Sequence, residues 1–355
     1  MKTTTNTVLF SSAVTAILLM GLLLLNQHME EETYQQRLRR MVNQINSMKT
    51  SWKAQVPPNA ENLTFKKLDG NPRKRRTTHP DVRQKKLLDS TETPKNFDSR
   101  EEWPDCPSIS FIRDQSKCGS CWSFGAAEAI SDRICIHTGG KQKPIISTTD
   151  LISCCFECGD GCDGGFDLSA YLFWKNRGIV TGGLYKGKGC LPYPFPPCSD
   201  PKAKKLYPSC SNKAGFVTPK CVKKCQDGYE GSYLEDKHFG EDIYTVSGER
   251  HIEIEISKNG PVEVFFDVYE DFHLYKEGIY QHVTGGLAGS HSVKIIGYGV
   301  DGKTGLKYWT VANSWNKSWG EQGFFRILKG VNEAGIENNA VSGFPRINGT
   351  LESRN

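Results

Sequence analysis

The chain has 355 residues, of which 37% are hydrophobic and 24% are charged, and its formal net charge at pH 7 is +5. This composition excludes an intrinsically disordered protein and is sufficient for one large or two modest hydrophobic cores.

The N-terminus has the pattern of a secretory signal. Lys2 precedes an apolar run from Val8 to Leu25, and polar residues follow at once. We therefore expect residues 1–25 to be a signal peptide. No small-x-small cleavage site follows Leu25, and the run is near the length needed to span a bilayer, so an uncleaved signal anchor is the alternative. Nucleic acid is not expected as a partner of a secreted chain.

Residues 29–55 predict an amphipathic helix, because apolar residues recur there at helical spacing. Linker signals follow, including Pro57-Pro58 and Pro94, and they place a domain boundary near residues 90–95. Between them, Arg73–Arg76 is either a solvated basic loop or a processing site for a basic-specific convertase.

Beyond residue 96 the pattern predicts a helical half and then a β half. A helical pattern includes Phe124 and Ile134 and ends at Gly139-Gly140. Short β-rich runs bounded by glycine turns follow later in the chain, at 261–269, 292–300, 307–312 and 323–328. Two half-domains with a cleft between them are the simplest architecture for this pattern.

All thirteen cysteines lie between Cys106 and Cys225. In an oxidising compartment this number predicts disulfides with one cysteine left over. Cys118 and Cys121 form a Cys-x-x-Cys pair, which suits a redox dithiol, half of a zinc site, or two thiols with different roles. A thiol–disulfide oxidoreductase is therefore one candidate function.

A second interpretation makes Cys121 a nucleophile. It opens the predicted helix, where the helix dipole favours a thiolate. His291 follows Gly289-Ser290 and opens a predicted strand, so it is a candidate base. Asn313 can orient an imidazole by accepting its N–H, and Trp315 can shield that bond from water.

Several motifs together carry a resemblance to a known family. The stretch Cys118–Trp122 reads "CGSCW", which matches the signature of papain-like enzymes. With "EEWPDCP", "CGDGCDGG", "NGPVEVFF" and "VANSW", the chain resembles papain-like cysteine peptidases of the cathepsin B group from about Pro94 to Arg346, and more weakly around Trp52.

The resemblance implies an α+β, papain-like two-domain fold, with a helical left domain, a β-barrel-like right domain and the active-site cleft between them. It implies a propeptide at 26–92 and a peptidase domain at 93–355 with an occluding-loop-type insertion at 190–225. The implied activity is that of a cysteine protease. A catalytically silent secreted binding module of the same fold is the alternative.

The resemblance also assigns roles to single residues. Cys121 would be the nucleophile, His291 the base and acid, and Asn313 the orienter, while the Gln115 side chain and the Cys121 N–H would form the oxyanion hole. The implied substrate-binding residues are Gly164, Gly165, Asp167, Ser292, Trp315 and Asn339. The implied disulfides leave Cys121 free and join Cys106–Cys135, Cys118–Cys162, Cys154–Cys221, Cys155–Cys158, Cys190–Cys225 and Cys198–Cys210.

Three departures from the family pattern affect the expected specificity. The loop Cys198–Cys210 holds no histidine, whereas the family presents a His-His pair there to a substrate's terminal carboxylate, so we expect mainly endopeptidase activity. The family aspartate that clasps this loop aligns with Ser318, although Asp114 is retained. Asn339 replaces a glutamate, so we expect a weaker preference for arginine two residues before the scissile bond, unless Asp167 supplies the negative charge.

The expected partners are peptide and protein substrates, the chain's own propeptide as inhibitor, and cystatin-type inhibitors. We expect a monomer with no cofactor and no metal, in the secretory pathway, and finally in the lysosome, the extracellular space or a gut lumen. The glycosylation candidates are Asn62, Asn316 and Asn348.

Overall fold

A helical block precedes a large sheet, in the order that the sequence pattern predicts. The computed structural model describes residues 19–21, 35–57, 79–80, 82–88, 90–197 and 216–347. The helices are α1 (35–47), α2 (Ser99–Glu102), α3 (Cys121–His137), α4 (Thr148–Cys154), α5 (Asp167–Arg177) and α6 (Glu249–Asn259). The strands are β1 (Trp52–Ala54), β2 (Arg83–Gln84), β3 (Phe97–Asp98), β4 (Gly240–Val246), β5 (Val262–Tyr269), β6 (Tyr275–Tyr280), β7 (Leu287–Val300), β8 (Lys307–Ala312), β9 (Phe324–Leu328) and β10 (Ala340–Pro345).

The strands form one ten-stranded sheet in the order β1-β6-β9-β8-β7-β5-β10-β4-β2, with β3 paired to β7. Most pairs are antiparallel, and the pairs β6/β9 and β2/β4 are parallel. The strand order begins at β1 and ends at β2, so the sheet does not close on itself. The right domain, which was expected to be β-barrel-like, is therefore a large open sheet.

The alternation of side chains along β5 shows which face of the sheet carries the core and which face meets the helical half. Four of its residues at alternating positions are buried in the core of the sheet half, namely Val262, Val264, Phe266 and Val268. The residues between them point to the opposite face, because successive side chains of a strand alternate. Glu263 on that face lies against Gly125 of α3, so this face meets the helical half.

Helix α3 is the centre of the helical half. Every residue from Cys121 to Cys135 is buried, and α3 contributes to a core that also contains residues of α4 and α5. A helix that is buried on all sides has no solvated face, which explains why its apolar spacing is less regular than that of a surface helix. Helix α3 also packs against β7, and this contact joins the two halves.

The N-terminal segment, defined as the described residues between 35 and 88, contributes to both ends of the sheet. Strand β1 pairs with β6 at one end and β2 pairs with β4 at the other. Leu38 and Ile45 of α1 are buried in the sheet-half core, as is Trp52 of β1. The amphipathic helix predicted over 29–55 is present over 35–47 with its apolar face covered, whereas Trp52–Ala54 form β1 instead of continuing the helix, and residues 29–34 lie outside the described residues.

At β7 the structure and the sequence prediction differ in where the strand begins. The predicted run began at Ser292, whereas the strand begins at Leu287, so His291 lies inside the strand. Residues 287–290 pair with β5 through a bulge between Val268 and Tyr269. Glycine residues in this stretch weaken the strand signal in the sequence.

Of the expected signal segment, only residues 19–21 are described, and they are helical. Across the described ranges, no helix has both the length and the apolar character needed to cross a membrane. Arg73–Arg76 and the sequons at Asn62 and Asn348 lie outside the described residues.

Candidate active site

The free thiol lies at the start of α3. Cys121 is the first residue of that helix and is 5% exposed, and within the described part of the chain it is the cysteine that forms no disulfide. Cys118 is bonded to Cys162. In this state the Cys-x-x-Cys pair cannot act as a dithiol, and Cys121 is the thiol available for chemistry.

Five of the six expected disulfides are formed in the structure. They join Cys106–Cys135, Cys118–Cys162, Cys154–Cys221, Cys155–Cys158 and Cys190–Cys225. The sixth expected pair, Cys198–Cys210, lies outside the described residues.

Burial governs the protonation of the thiol. Mainly because of burial, the pKa of Cys121 is raised from 9.0 to about 11; backbone hydrogen bonding with Ser292 opposes the rise, and the Glu263 carboxyl contributes to it. The start of a helix favours a thiolate, and the sequence therefore predicts a lowered pKa. In this structure burial outweighs that effect, because it penalises the charged form.

An imidazole and an amide are joined in the sheet half. His291 lies in β7, Asn313 directly follows β8, and His291 Nε2 is 2.8 Å from Asn313 Oδ1. The same oxygen accepts the backbone N–H of Ser314 at 2.8 Å, which fixes it as an acceptor and makes Nε2 the donor. His291 Nδ1 is buried and has no hydrogen-bond partner among the described residues. Nδ1 is therefore the nitrogen that can accept a proton.

An aromatic ring covers this pair. The indole of Trp315 stacks on His291, with ring centroids 4.7 Å apart and an interplanar angle of 27°. His291 is fully buried and Asn313 is almost so. Burial lowers the pKa of His291 to about 4, although the bond to Asn313 raises it. The resting imidazole is therefore neutral at pH 7.

The Gln115 side chain is fixed between the two halves. Its Nε2 donates to the Cys118 carbonyl at 3.1 Å, and its Oε1 accepts the Ser314 hydroxyl at 2.6 Å. The Gln115 backbone N–H also donates to the Ser314 carbonyl at 2.9 Å. An amide nitrogen carries two N–H donors, so one remains for a developing oxyanion.

The Gly164-Gly165 pair needs glycine for two different reasons. Gly164 has a φ of 119°, which favours glycine. At Gly165 a Cβ atom would lie 2.4 Å from the indole of Trp122, the residue after the free thiol. A side chain at 164 would strain the backbone, and one at 165 would displace the indole of Trp122, the neighbour of Cys121.

The other expected substrate-binding residues lie on three elements. Asp167 is the first residue of α5, and Ser292 of β7 is buried and pairs with Phe265. Asn339 is partly exposed and directly precedes β10. Their effect on substrate preference stays a prediction. The candidate glycosylation residue Asn316 is partly buried, and its Nδ2 donates to Asp114 at 3.3 Å.

Two ionisable residues beside the site were missed in the sequence. Glu263 is fully buried, and burial, with a contribution from the charge of Asp167, raises its pKa well above 4.5. The alternation of β5 could have placed it against α3. His273 stacks on Trp315 with centroids 5.0 Å apart, and no sequence pattern marks it.

Comparisons with known proteins agree with this geometry. The family model described as "Papain family cysteine protease" matches residues 93–344. A protein of Schistosoma japonicum named "Cathepsin B-like cysteine proteinase" is 53% identical over 256 residues, which are 72% of this chain and 74% of that protein. A "Gut-specific cysteine proteinase" of Caenorhabditis elegans is 46% identical over 314 residues, which are 86% and 90% of the two chains.

A solved structure of a precursor form is also similar. The structure titled "proCathepsin B S9 from Trypanosoma congolense" is 36% identical, with a TM-score of 0.72, and the match covers 86% of this chain and 97% of that one. The buried thiol, the amide-bonded imidazole and these matches lead to one conclusion. The chain belongs to the papain family of cysteine proteases, as a cathepsin B-like member.

Proposed function

We propose that Cys121 is the nucleophile and His291 the general base and acid of this protease, acting through a thioester acyl-enzyme. The observation that carries the proposal is the 2.8 Å bond between His291 Nε2 and Asn313 Oδ1. This bond occupies Nε2 and leaves Nδ1 to exchange a proton. A thiol, an imidazole and an orienting amide form the nucleophile, base and orienter of covalent catalysis.

The reaction follows from these positions. Cys121 gives its proton to His291 Nδ1, and the thiolate attacks the carbonyl carbon of the peptide. The Gln115 side chain and the Cys121 backbone N–H stabilise the resulting oxyanion. The imidazolium protonates the leaving amine as the C–N bond breaks. Water, deprotonated by His291, then attacks the thioester and releases the carboxylic product and the thiol.

The N-terminal segment is the propeptide in this proposal, and the mature enzyme begins near Thr93. Two contacts support an inhibitory role. One guanidinium nitrogen of Arg37, Nη2, lies 2.6 Å from each carboxylate oxygen of Glu270, and Trp52 is buried against Tyr280. The segment is thus bound to the sheet half through both charge and apolar area.

Maturation tests the nucleophile. We expect the Cys121→Ala precursor, purified alone, to stay uncut, whereas the wild-type precursor removes residues up to about 92. Gel electrophoresis and N-terminal sequencing measure this. Trace wild-type enzyme added to the variant is the control, because it should cut a correctly folded substrate. Normal maturation of the variant alone would exclude self-processing and favour a convertase acting at Arg73–Arg76.

We also propose mainly endopeptidase activity. The 198–210 loop holds no histidine, and residues on its two sides within the insertion meet beside the active site. Phe195 and Phe216 stack with centroids 4.3 Å apart, and Ser116 donates to the Pro196 carbonyl at 2.7 Å. The residues on the two sides of the loop are therefore anchored next to Gln115. The loop itself lacks the imidazoles that would bind a terminal carboxylate.

Product analysis tests this activity. A long peptide should be cut internally, and dipeptide release should be slow from a peptide with a free C-terminal carboxylate as well as from its C-terminal amide. Mass spectrometry separates the products. Dominant dipeptide release that needs the free carboxylate would contradict the proposal. Its loss on changing Lys202, Lys204 and Lys205 to Ala would then assign the carboxylate receptor to those lysines.

We place the protein in the secretory pathway, ending in a lysosome, a gut lumen or the extracellular space. The apolar N-terminal run and the five disulfides of the described residues support this route. The name of the Caenorhabditis elegans relative, a gut-specific proteinase, fits the lumenal alternative.

A further inference from the structure

A buried tyrosine hydroxyl contacts both ends of the loop that precedes the thiol. Tyr193 belongs to the insertion and is 4% exposed. Its hydroxyl donates to the Gln115 backbone carbonyl at 2.7 Å, and the Ser120 hydroxyl lies 3.1 Å from the same phenolic oxygen. A phenol carries one proton, and here that proton goes to Gln115, so Ser120 is the donor in the second bond. One hydroxyl therefore links residues 115 and 120.

Each end of this loop carries one donor of the proposed oxyanion hole. Gln115 supplies its side-chain amide. Ser120 directly precedes Cys121, whose backbone N–H is the other donor. Between them, Ser116 has a φ of 58°, a conformation that residues other than glycine rarely adopt. The shape of the loop, and with it the spacing of the two donors, therefore depends on contacts from outside the loop.

The Tyr193 ring is fixed by its aromatic neighbours. Phe124 of α3 meets it edge to face, with centroids 4.9 Å apart, and Phe195 does so on another side at 5.4 Å. Burial raises the pKa of the Tyr193 phenol, although the hydrogen bond with Ser120 opposes the rise. The hydroxyl therefore keeps its proton and its direction.

The backbone that carries Tyr193 is held without the hydroxyl. The Ser147 hydroxyl donates to the Leu191 carbonyl at 2.6 Å, and the Tyr193 N–H donates to the Gly183 carbonyl at 3.1 Å. Replacing the tyrosine by phenylalanine leaves both bonds and both ring contacts in place. Such a change removes only the link between the insertion and the loop.

We propose that Tyr193 is a positioning residue for peptide cleavage, which acts by fixing the spacing between the two oxyanion donors. The inference rests on the proposed function, in which the Gln115 side chain and the Cys121 N–H stabilise the oxyanion. Donors that are already in place stabilise the transition state without reorganisation, and donors that move do so less well. The base of the insertion thereby contributes to the rate of the reaction, separately from any effect of the 198–210 loop on substrate length.

Kinetics of Tyr193→Phe, made in the full-length chain and then processed, test the proposal. We expect kcat/KM for a peptide amide to fall about tenfold, less than on removing an oxyanion donor, and to fall through kcat with KM little changed. Alkylation of Cys121 by iodoacetamide forms no oxyanion, so its rate should stay within about twofold of the wild-type rate. A variant that was merely loosened throughout the site would lose both activities.

A double-mutant cycle identifies the residue through which Tyr193 acts. In a Gln115→Ala background no side-chain donor has to be placed, so Tyr193→Phe should change kcat/KM by less than about twofold. Tyr233→Phe is the matched control, because Tyr233 is 6% exposed and its hydroxyl donates to Asp150 at 2.7 Å, away from the loop. It should lower Tm and leave kcat/KM unchanged. Ser120→Ala removes the second contact of the hydroxyl and replaces Tyr193→Phe if that variant fails to fold, with an expected loss of about threefold.

Each outcome decides the proposal. The inference is overturned by an unchanged kcat/KM in the Tyr193 variant, by the same loss with and without the Gln115 side chain, by an equal loss in Tyr233→Phe, or by a parallel loss of alkylation. An unchanged kcat/KM in Gln115→Ala alone would instead count against the proposed function, because the oxyanion would then not depend on that amide.

Discussion

Cys121 shows how a single residue is governed by two opposing effects. The start of α3 stabilises a thiolate, and burial destabilises it. With the Cys121 pKa at about 11 and the His291 pKa at about 4, the described state holds a neutral thiol and a neutral imidazole. Admitting water to the site would move both pKa values towards their ordinary ranges and so favour the ion pair.

This state predicts slow and pH-dependent alkylation of the precursor. Raising the pKa of Cys121 from 9.0 to about 11 lowers the thiolate fraction at pH 7 by about 100-fold. Below that pKa the thiolate grows as pH rises, so the iodoacetamide rate should increase about tenfold per pH unit between pH 7 and 10. Mass spectrometry locates the label, and the processed enzyme is the comparison. Fast, pH-independent alkylation of the precursor at pH 5–7 would contradict the neutral pair.

Motifs in the sequence predicted four of the residues that lie in the candidate active site. Cys121, His291, Asn313 and Gln115 were identified because motif and family pattern mark them, and their contacts are now described although their roles stay proposals. The position of His273 beside the site could not be predicted, because it stacks on Trp315, which lies 42 positions later in the chain and is brought near only by the fold.

At the scale of elements, α3 carries charged side chains into the contact between the halves. Asp132 of α3 and Lys294 of β7 are both fully buried, and their oxygen and nitrogen are 2.6 Å apart. Arg133 makes a similar pair with Glu255 at 2.8 Å. Sequence alone favours solvated positions for such residues, so their burial was not predictable without the partner strand.

Breaking the first pair should destabilise the protein strongly. Lys294→Met leaves the buried Asp132 carboxylate without its cation, which costs about 3–5 kcal/mol in comparable cases. Calorimetry of the precursor measures the fall in Tm. Lys307→Met is the matched control, because Lys307 pairs with Glu249 at the surface, 55% exposed, and such pairs contribute about 1 kcal/mol or less. Equal effects of the two changes would contradict a stabilising buried pair.

The strands were predicted unevenly, for identifiable reasons. The predicted run 307–312 coincides with β8, and the run 261–269 contains β5. Strand β10 was missed because Gly343 and Pro345 interrupt its pattern, and β6 because it contains Gly278 at a φ of 103°. Strands β1 and β2 have only two or three residues and exist because the sheet edge pairs with them.

At the scale of the whole molecule, the N-terminal segment is bound at two separate places. At one end of the sheet Trp52 packs against Tyr280, and its indole N–H donates to the Gln281 carbonyl at 2.9 Å. At the other end Lys85 lies over the rings of Tyr244 and Phe344. Binding through two linked sites strengthens both, because the second contact forms within one molecule.

The first of these contacts should dominate inhibition. In a peptide covering residues 26–92, Trp52→Ala should weaken inhibition of the processed enzyme more than 100-fold, since removing a buried tryptophan costs about 3–5 kcal/mol. The inhibition constant is the measurement. Lys53→Ala is the control, because Lys53 is exposed in the same strand. Similar inhibition constants for the two peptides would show that Trp52 does not anchor the segment.

The two terminal strands of the sheet have a consequence for the lifetime of the mature enzyme. Both belong to the segment that is proposed to be removed, so processing takes away one of the two partner strands of β6 and one of the two of β4, and leaves backbone groups on two edges unpaired. The mature chain would then lack two of the strands that were present when the sheet folded. Its native state would then persist because unfolding is slow, and an unfolded mature molecule would be lost to aggregation or proteolysis instead of regaining activity.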